Sequence, residues 1–111
     1  MKTIIMFLMS LFLMTSAEHA ASFYGTVSNQ NASIVSVYEG NRYLGESAVV
    51  GNLPKKFNVT VDCFSKNEWE SGKVLTLKLL DSNRNILSEQ PVYTKIINYD
   101  KFKESGKEVD L

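Results

Sequence analysis

Glu68 and Glu70 flank Trp69 in the polar stretch Lys66 to Gly72, KNEWESG. A pair of carboxylates is the residue set of acid/base hydrolysis, but that chemistry needs the two groups across a cleft at a defined separation. A shared polar loop places them in water instead, where glutamates ordinarily stand. Trp69 between them has two readings. It is an exposed aromatic anchor for a partner, bracketed by Glu68 and Glu70, or it folds over the open end of a sandwich. Cys63 is the single cysteine of the chain, so it has no internal disulfide partner. On the inward face of a strand it acts as a small, inert hydrophobe. In an oxidising compartment it is also a candidate for an intermolecular disulfide.

The remaining chemistry is argued by absence. His19 is the only histidine and lies at the very start of the domain, so no imidazole base is set to activate a serine or cysteine. Cys63 without histidine partners makes no zinc site, and no Gly-rich loop cradles a phosphate. The expectation is therefore no catalytic residues, no metal and no cofactor. Two sequons, Asn31-Ala32-Ser33 and Asn58-Val59-Thr60, become glycosylation acceptors if the chain passes through a eukaryotic secretory pathway.

The elements that must position these residues are strands. Phe57 to Ser65, FNVTVDCFS, alternates strictly, with Phe57, Val59, Val61 and Cys63 inward and Asn58, Thr60 and Asp62 outward. This stretch is expected to be the central strand. Ser22 to Ser28 reads as the first strand, Ala32 to Glu39 as the second and Arg42 to Val50 as the third, with Gly40-Asn41 as a two-residue hairpin turn. Gly45 inside the third run marks a bulge or a close approach. Lys66 to Gly72 reads as a loop. Lys73 to Asp81 is a further strand, with Leu75, Leu77 and Leu79 on one face. Ser82 to Asn85 is a turn, and Ile86 to Tyr99 holds two short strands broken at Gln90-Pro91. Asp100 to Leu111 reads as a charged tail, frayed or loosely docked. No segment beyond the start shows a helical period. Six or seven strands at regular spacing predict an all-β fold, a small antiparallel β-sandwich with immunoglobulin-like strand spacing.

The first residues carry the layout of a secretory signal peptide: Lys2, the apolar run Ile4 to Met14, then small residues at Thr15-Ser16-Ala17. Cleavage is expected after Ala17, with Ala20 the alternative. The apolar run is too short to span a membrane, and no later stretch is long enough either. The domains expected are thus a signal peptide at 1–17, a β-sandwich at 18–99 and a tail at 100–111, in a secreted or periplasmic location. Twelve basic and twelve acidic side chains cancel, leaving no field to gather nucleic acid.

Gly25-Thr26-Val27, then Ile34 to Tyr38, then Leu53-Pro54 leading into Phe57, resemble the strand-turn-strand pattern of transthyretin-like and carboxypeptidase-regulatory-like sandwiches. Leu53 to Ile97, LPKKFNVTVD followed by GKVLTLKLLDSNRNILSEQPVY, is similar to the small periplasmic sandwich family that includes type III secretion pilotins of the YscW kind. That resemblance implies a non-enzymatic periplasmic assembly or binding factor with a protein partner. The family's lipid-anchoring cysteine is not present here. The expected function is a secreted or periplasmic, non-enzymatic binding or assembly module acting through a strand edge or the Trp69 loop. Lys95 and Pro91 either guard such an edge or mark where a partner strand adds. The alternative is a secreted structural or effector-like protein that associates through a surface or a Cys63-linked dimer.

Overall fold

The computed structural model of the chain describes residues 19–96 and 105–111. The expected signal peptide, the end of the last apolar run and the start of the tail lie outside the described residues. Among the described residues the strands are β1 Ala21–Val27, β2 Ile34–Glu39, β3 Arg42–Ala48, β4 Lys55–Val61, β5 Lys73–Leu80, β6 Ile86–Thr94 and β7 Ser105–Glu108, with one short helix, α1, at Lys66–Ser71. They form a three-stranded sheet in the order β4-β1-β7 and a four-stranded sheet in the order β3-β2-β5-β6. The all-β sandwich is the fold the chain adopts. Every pairing is antiparallel except that of β1 with β7, which run parallel.

Alternation decides which side chains meet between the sheets. Phe23, Phe57, Val59 and Val61 come from the three-stranded sheet, and Val35, Val37, Leu75, Leu77, Leu79 and Val92 from the other. Full burial of each such side chain contributes about 1.5–3 kcal/mol. With one cysteine and no internal disulfide, this packing carries the stability of the fold. The β2–β3 turn is the predicted two-residue loop, since Glu39 pairs directly with Arg42. Gly40 has φ 59° while Asn41 has no positive φ, the sign pattern of a type II′ turn. Gly45 lies at the register shift between β2 and β3, opposite Val37, so the bulge expected there is present.

Four expectations are corrected. The Phe57–Ser65 strand is not central: β4 stops at Val61 and lies at the edge of its sheet, while β1 holds the middle. Beyond Val61 the alternation breaks, so Cys63 is exposed and Phe64 turns inward in its place. Lys66–Ser71 is a helix rather than a loop. Ser65 and Glu68 form a capping box in which the Ser65 hydroxyl accepts from the Glu68 N–H at 3.2 Å and the Glu68 carboxylate accepts from the Ser65 N–H at 3.1 Å. Pro91 does not break its strand, because β6 is an edge strand whose outer side needs no donor.

The last segment is docked in register rather than frayed. Ser105 to Glu108 pair with Ala21 to Tyr24. Val109 then donates to the Tyr24 carbonyl at 2.8 Å and is buried, and Leu111 donates to the Thr26 carbonyl at 2.8 Å.

Candidate functional site

The residues singled out around α1 form a structural corner. Trp69 is fully buried, at 0% exposure, so it is no surface anchor. Its indole packs edge-to-face on Phe64 with ring centroids 5.0 Å apart, and its main-chain oxygen accepts from the Ile96 N–H at 3.0 Å. The ring closes the end of the sandwich where β1 starts and β6 finishes. Glu68 is committed to the helix cap and to Lys73, 3.3 Å away. Hydrogen bonding from the Ser65 backbone, and then Lys73, holds its carboxyl below the usual value. Lys73 also binds Glu39 at 3.1 Å and lies 4.5 Å from the centre of the Phe64 ring. Glu70 is half-buried on the same helix, next to Trp69 in sequence. An acid/base pair of Glu68 and Glu70 therefore has one member tied up in a cap and an ion pair.

Cys63 is exposed on the turn before α1. Partial desolvation nevertheless pushes its thiol up, and the Arg42 charge pulls weakly the other way. A thiol held protonated is a slow partner in disulfide exchange. Asn31 lies exposed in the β1–β2 turn, where its N–H donates to the Asn29 side chain at 2.9 Å. Asn58 is exposed on the outer face of β4, as its outward register requires.

Asn58 opens onto a concave surface that unites several elements. A groove of about 760 Å³ is lined by Tyr24, Thr26, Lys56, Asn58 and Glu108 and walled by the β3 end at Ser47, Ala48 and Val50. Tyr24 is its central feature, directly opposite Asn58 on β4 and Glu108 on β7. The ring is 41% exposed. It lies over Gly106, where a Cβ would stand 2.9 Å from Tyr24 Cε1, so only glycine lets the ring settle there. Lys56 and Glu108 place one charge of each sign on the lining, leaving it neutral.

The wall of the groove is an unfinished seam. Among the described residues β3 and β4 pair through the single bridge Val50↔Lys56, with N–H to carbonyl distances of 2.9 and 2.8 Å. In an antiparallel strand the backbone polar groups of successive residues leave on opposite sides, so those of every second residue share a side. The Lys56 groups face β3, so those of Asn58 and Thr60 do too; counting back from Val50, those of Ala48 face β4. The ladder does not run on to Ala48 and Asn58, and both line the groove.

The β6 edge of the four-stranded sheet is guarded. Pro91 sits opposite Thr76 in the β5–β6 ladder. Having no N–H, it fits the non-bonded pair, which turns the Glu89 and Tyr93 backbone groups outward as well. The Tyr93 carbonyl is then taken by Lys107 Nζ at 2.8 Å. Pro91 and this lysine cap are protective devices on β6.

No family model and no curated protein matches the chain. Among the described residues no cluster of His, Cys, Asp and Glu is placed to hold a metal ion, and no helix is long and apolar enough to cross a membrane. Tyr24 was missed in the sequence, although alternation along the first strand, with Phe23 and Val27 buried, is the signal that turns it outward. The seam had no such signal, because nothing in the composition of β3 or β4 says where a ladder stops.

Proposed function

We propose that this chain is an exported, non-enzymatic binding or assembly module, secreted or periplasmic, which takes a protein partner at the β3–β4 edge over Tyr24. The observation behind it is the seam: the outward Ala48 N–H and the outward backbone groups of Asn58, beyond the last bridge, beside a groove with a half-open aromatic ring; the Ala48 carbonyl already accepts from the Ser47 hydroxyl at 3.1 Å. Such groups accept an extended partner segment by strand addition, with a neighbouring side chain supplying selectivity. The signal-like run from Lys2 to Ala17 supports export, and the likeness of Leu53 to Ile97 to pilotin-type sandwiches supports an assembly role. The guarding of the β6 edge favours the seam over it.

The test places a photo-crosslinking amino acid at position 24 and, as control, at position 93, in the exporting cell. A protein joined from position 24 and not from 93 is purified and recombined with the chain. Ala48→Pro removes a donor that β2 does not use, and should weaken the complex about tenfold, the worth of roughly one hydrogen bond. Equal crosslinking from both positions, or a complex indifferent to Ala48→Pro, counts against the seam.

A second reading, a secreted structural or effector-like protein working as a Cys63-linked dimer, is favoured by the exposure of Cys63. Intact mass of the exported protein with and without reductant decides it. A reductant-sensitive doubling supports the dimer, and a single monomer mass removes it.

A further inference from the structure

The slot on β1 that holds residues 105–111 recognises that segment in detail. Gly25 is its most specific part: a Cβ there would fall directly on the Val109 carbonyl oxygen, with Asp110 Oδ1 3.3 Å away. Thr26 binds Asp110 Oδ1 twice, through its N–H at 3.3 Å and its hydroxyl at 2.9 Å. Val109 enters the core, Leu111 packs against it, and the Ser28 N–H donates to the Leu111 carbonyl at 3.1 Å. Gly106 makes room for Tyr24, and Lys107 reaches across to β6.

The same segment brings little with it. Its ladder has four pairs and is the only parallel one among the described residues, a pairing slightly weaker per residue than the antiparallel kind. Val109 is its one buried side chain, with Leu111 partly buried. Local opening of such a segment costs far less than unfolding the sandwich. Once it leaves, β1 carries a bare edge whose side-chain and backbone partners are all specific for this sequence. Eight residues of chain lie between Ile96 and Ser105, a reach of up to about 30 Å from one to the other.

We infer that the β1 slot is an interface for a second copy of this chain, formed by reciprocal exchange of the 105–111 strand. Each protomer then supplies Lys107, Val109 and Asp110 to the Gly25–Thr26 region of the other. The exchange creates a closed two-fold dimer without any new contact type, the usual low-cost route for swapping an identical element. This interface is separate from the β3–β4 seam and stands or falls independently of it.

Two variants of the whole chain test it, Thr26→Cys and Asp110→Cys, each with Cys63→Ser. They are mixed, incubated at high concentration and oxidised. The expected result is a disulfide-linked heterodimer well above the share that random pairing gives, identified by peptide mass. A statistical mixture, or monomer alone, overturns the inference. The Cys63→Ser chain, with β1 and β7 untouched, is followed in parallel by size-exclusion chromatography with light scattering over about a hundredfold range of concentration. A dimer that grows with concentration is expected, and monomer throughout overturns the proposal. The doubly substituted Thr26→Cys/Asp110→Cys chain, closed on itself before concentration, should stay monomeric; a dimer there also overturns it.

Discussion

The Trp69 indole nitrogen donates to the main-chain oxygen of His19 at 3.1 Å, across fifty positions of sequence. One buried side chain thereby ties the entry to β1 to the corner that joins β4 to β5, and through Ile96 to the exit from β6. Trp69→Phe keeps most of the apolar surface and deletes this donor. It should cost about 1–3 kcal/mol in urea unfolding, from one lost hydrogen bond and a small void. Backbone exchange at Ala20 and Ala21 should rise more than at β2. A loss below about 0.3 kcal/mol would mean the bond is idle.

Thr94 faces the core at 6% exposure, and its hydroxyl has no hydrogen-bond partner. Thr94→Val replaces the hydroxyl by a methyl of similar size on a β-branched side chain suited to a strand. Stability should rise by about 1 kcal/mol, read as a higher urea midpoint with unchanged slope. A fall would show that the hydroxyl has found a water.

Gly25→Ala should release residues 109–111 and leave β1–β4 intact, since the added methyl meets only the last segment. Amide exchange at Val109 and Leu111 should accelerate at least about tenfold while Val59 and Val61 stay protected, the signature of local opening. Uniform acceleration across both sheets would mean global destabilisation instead.

Three carboxylates set the acid limb of stability. Glu46 is held low by the Arg84 guanidinium, 2.6 Å away; Glu68 by the Ser65 backbone and then Lys73; Asp81 by the Asn85 and Asn83 backbone N–H groups in the turn it organises. A carboxylate that is more acidic folded than unfolded contributes stability above its unfolded pKa, near 4, and loses it as pH falls through the folded value. Stability should thus decline below about pH 4.5, and Glu46→Gln should flatten part of that decline. Lys73 acts at the other extreme, raised chiefly by Glu39. Its contribution is complete at neutral pH and fades as pH climbs through its raised value, above about 10. All these groups have substantial solvent contact, so added salt should shrink both limbs.

Strand positions were readable wherever one face is buried and the other wet, as in Phe57-Val59-Val61 and Leu75-Leu77-Leu79. Strand order was not. Phe57 to Val61 has the cleanest alternation yet forms an edge strand, because alternation reports one buried face and says nothing of how many neighbours a strand has. The α1 helix had a signal, Ser65 three residues before Glu68, hidden by the brevity of a helix with one buried residue. Docking of the last strand escaped because Val109 and Leu111 are only two apolar residues among charges; their partners, Tyr24, Thr26 and Ser28, lie at the other end of the sequence. Trp69 was divided between two roles by composition alone, and burial settles it as packing.

Thr26 and Asp110 stand 84 positions apart, so the contact that completes the three-stranded sheet is among the longest-range in the molecule. Loop-closure entropy makes such a contact a late arrival in folding. Until the strand after residue 104 has been synthesised and is free to pair, β1 has β4 on one flank and nothing on the other. The fold thus passes through a stage in which a strand built early waits for one built some eighty positions later. In that interval any chaperone, or any neighbouring nascent chain, meets β1 before β7 does.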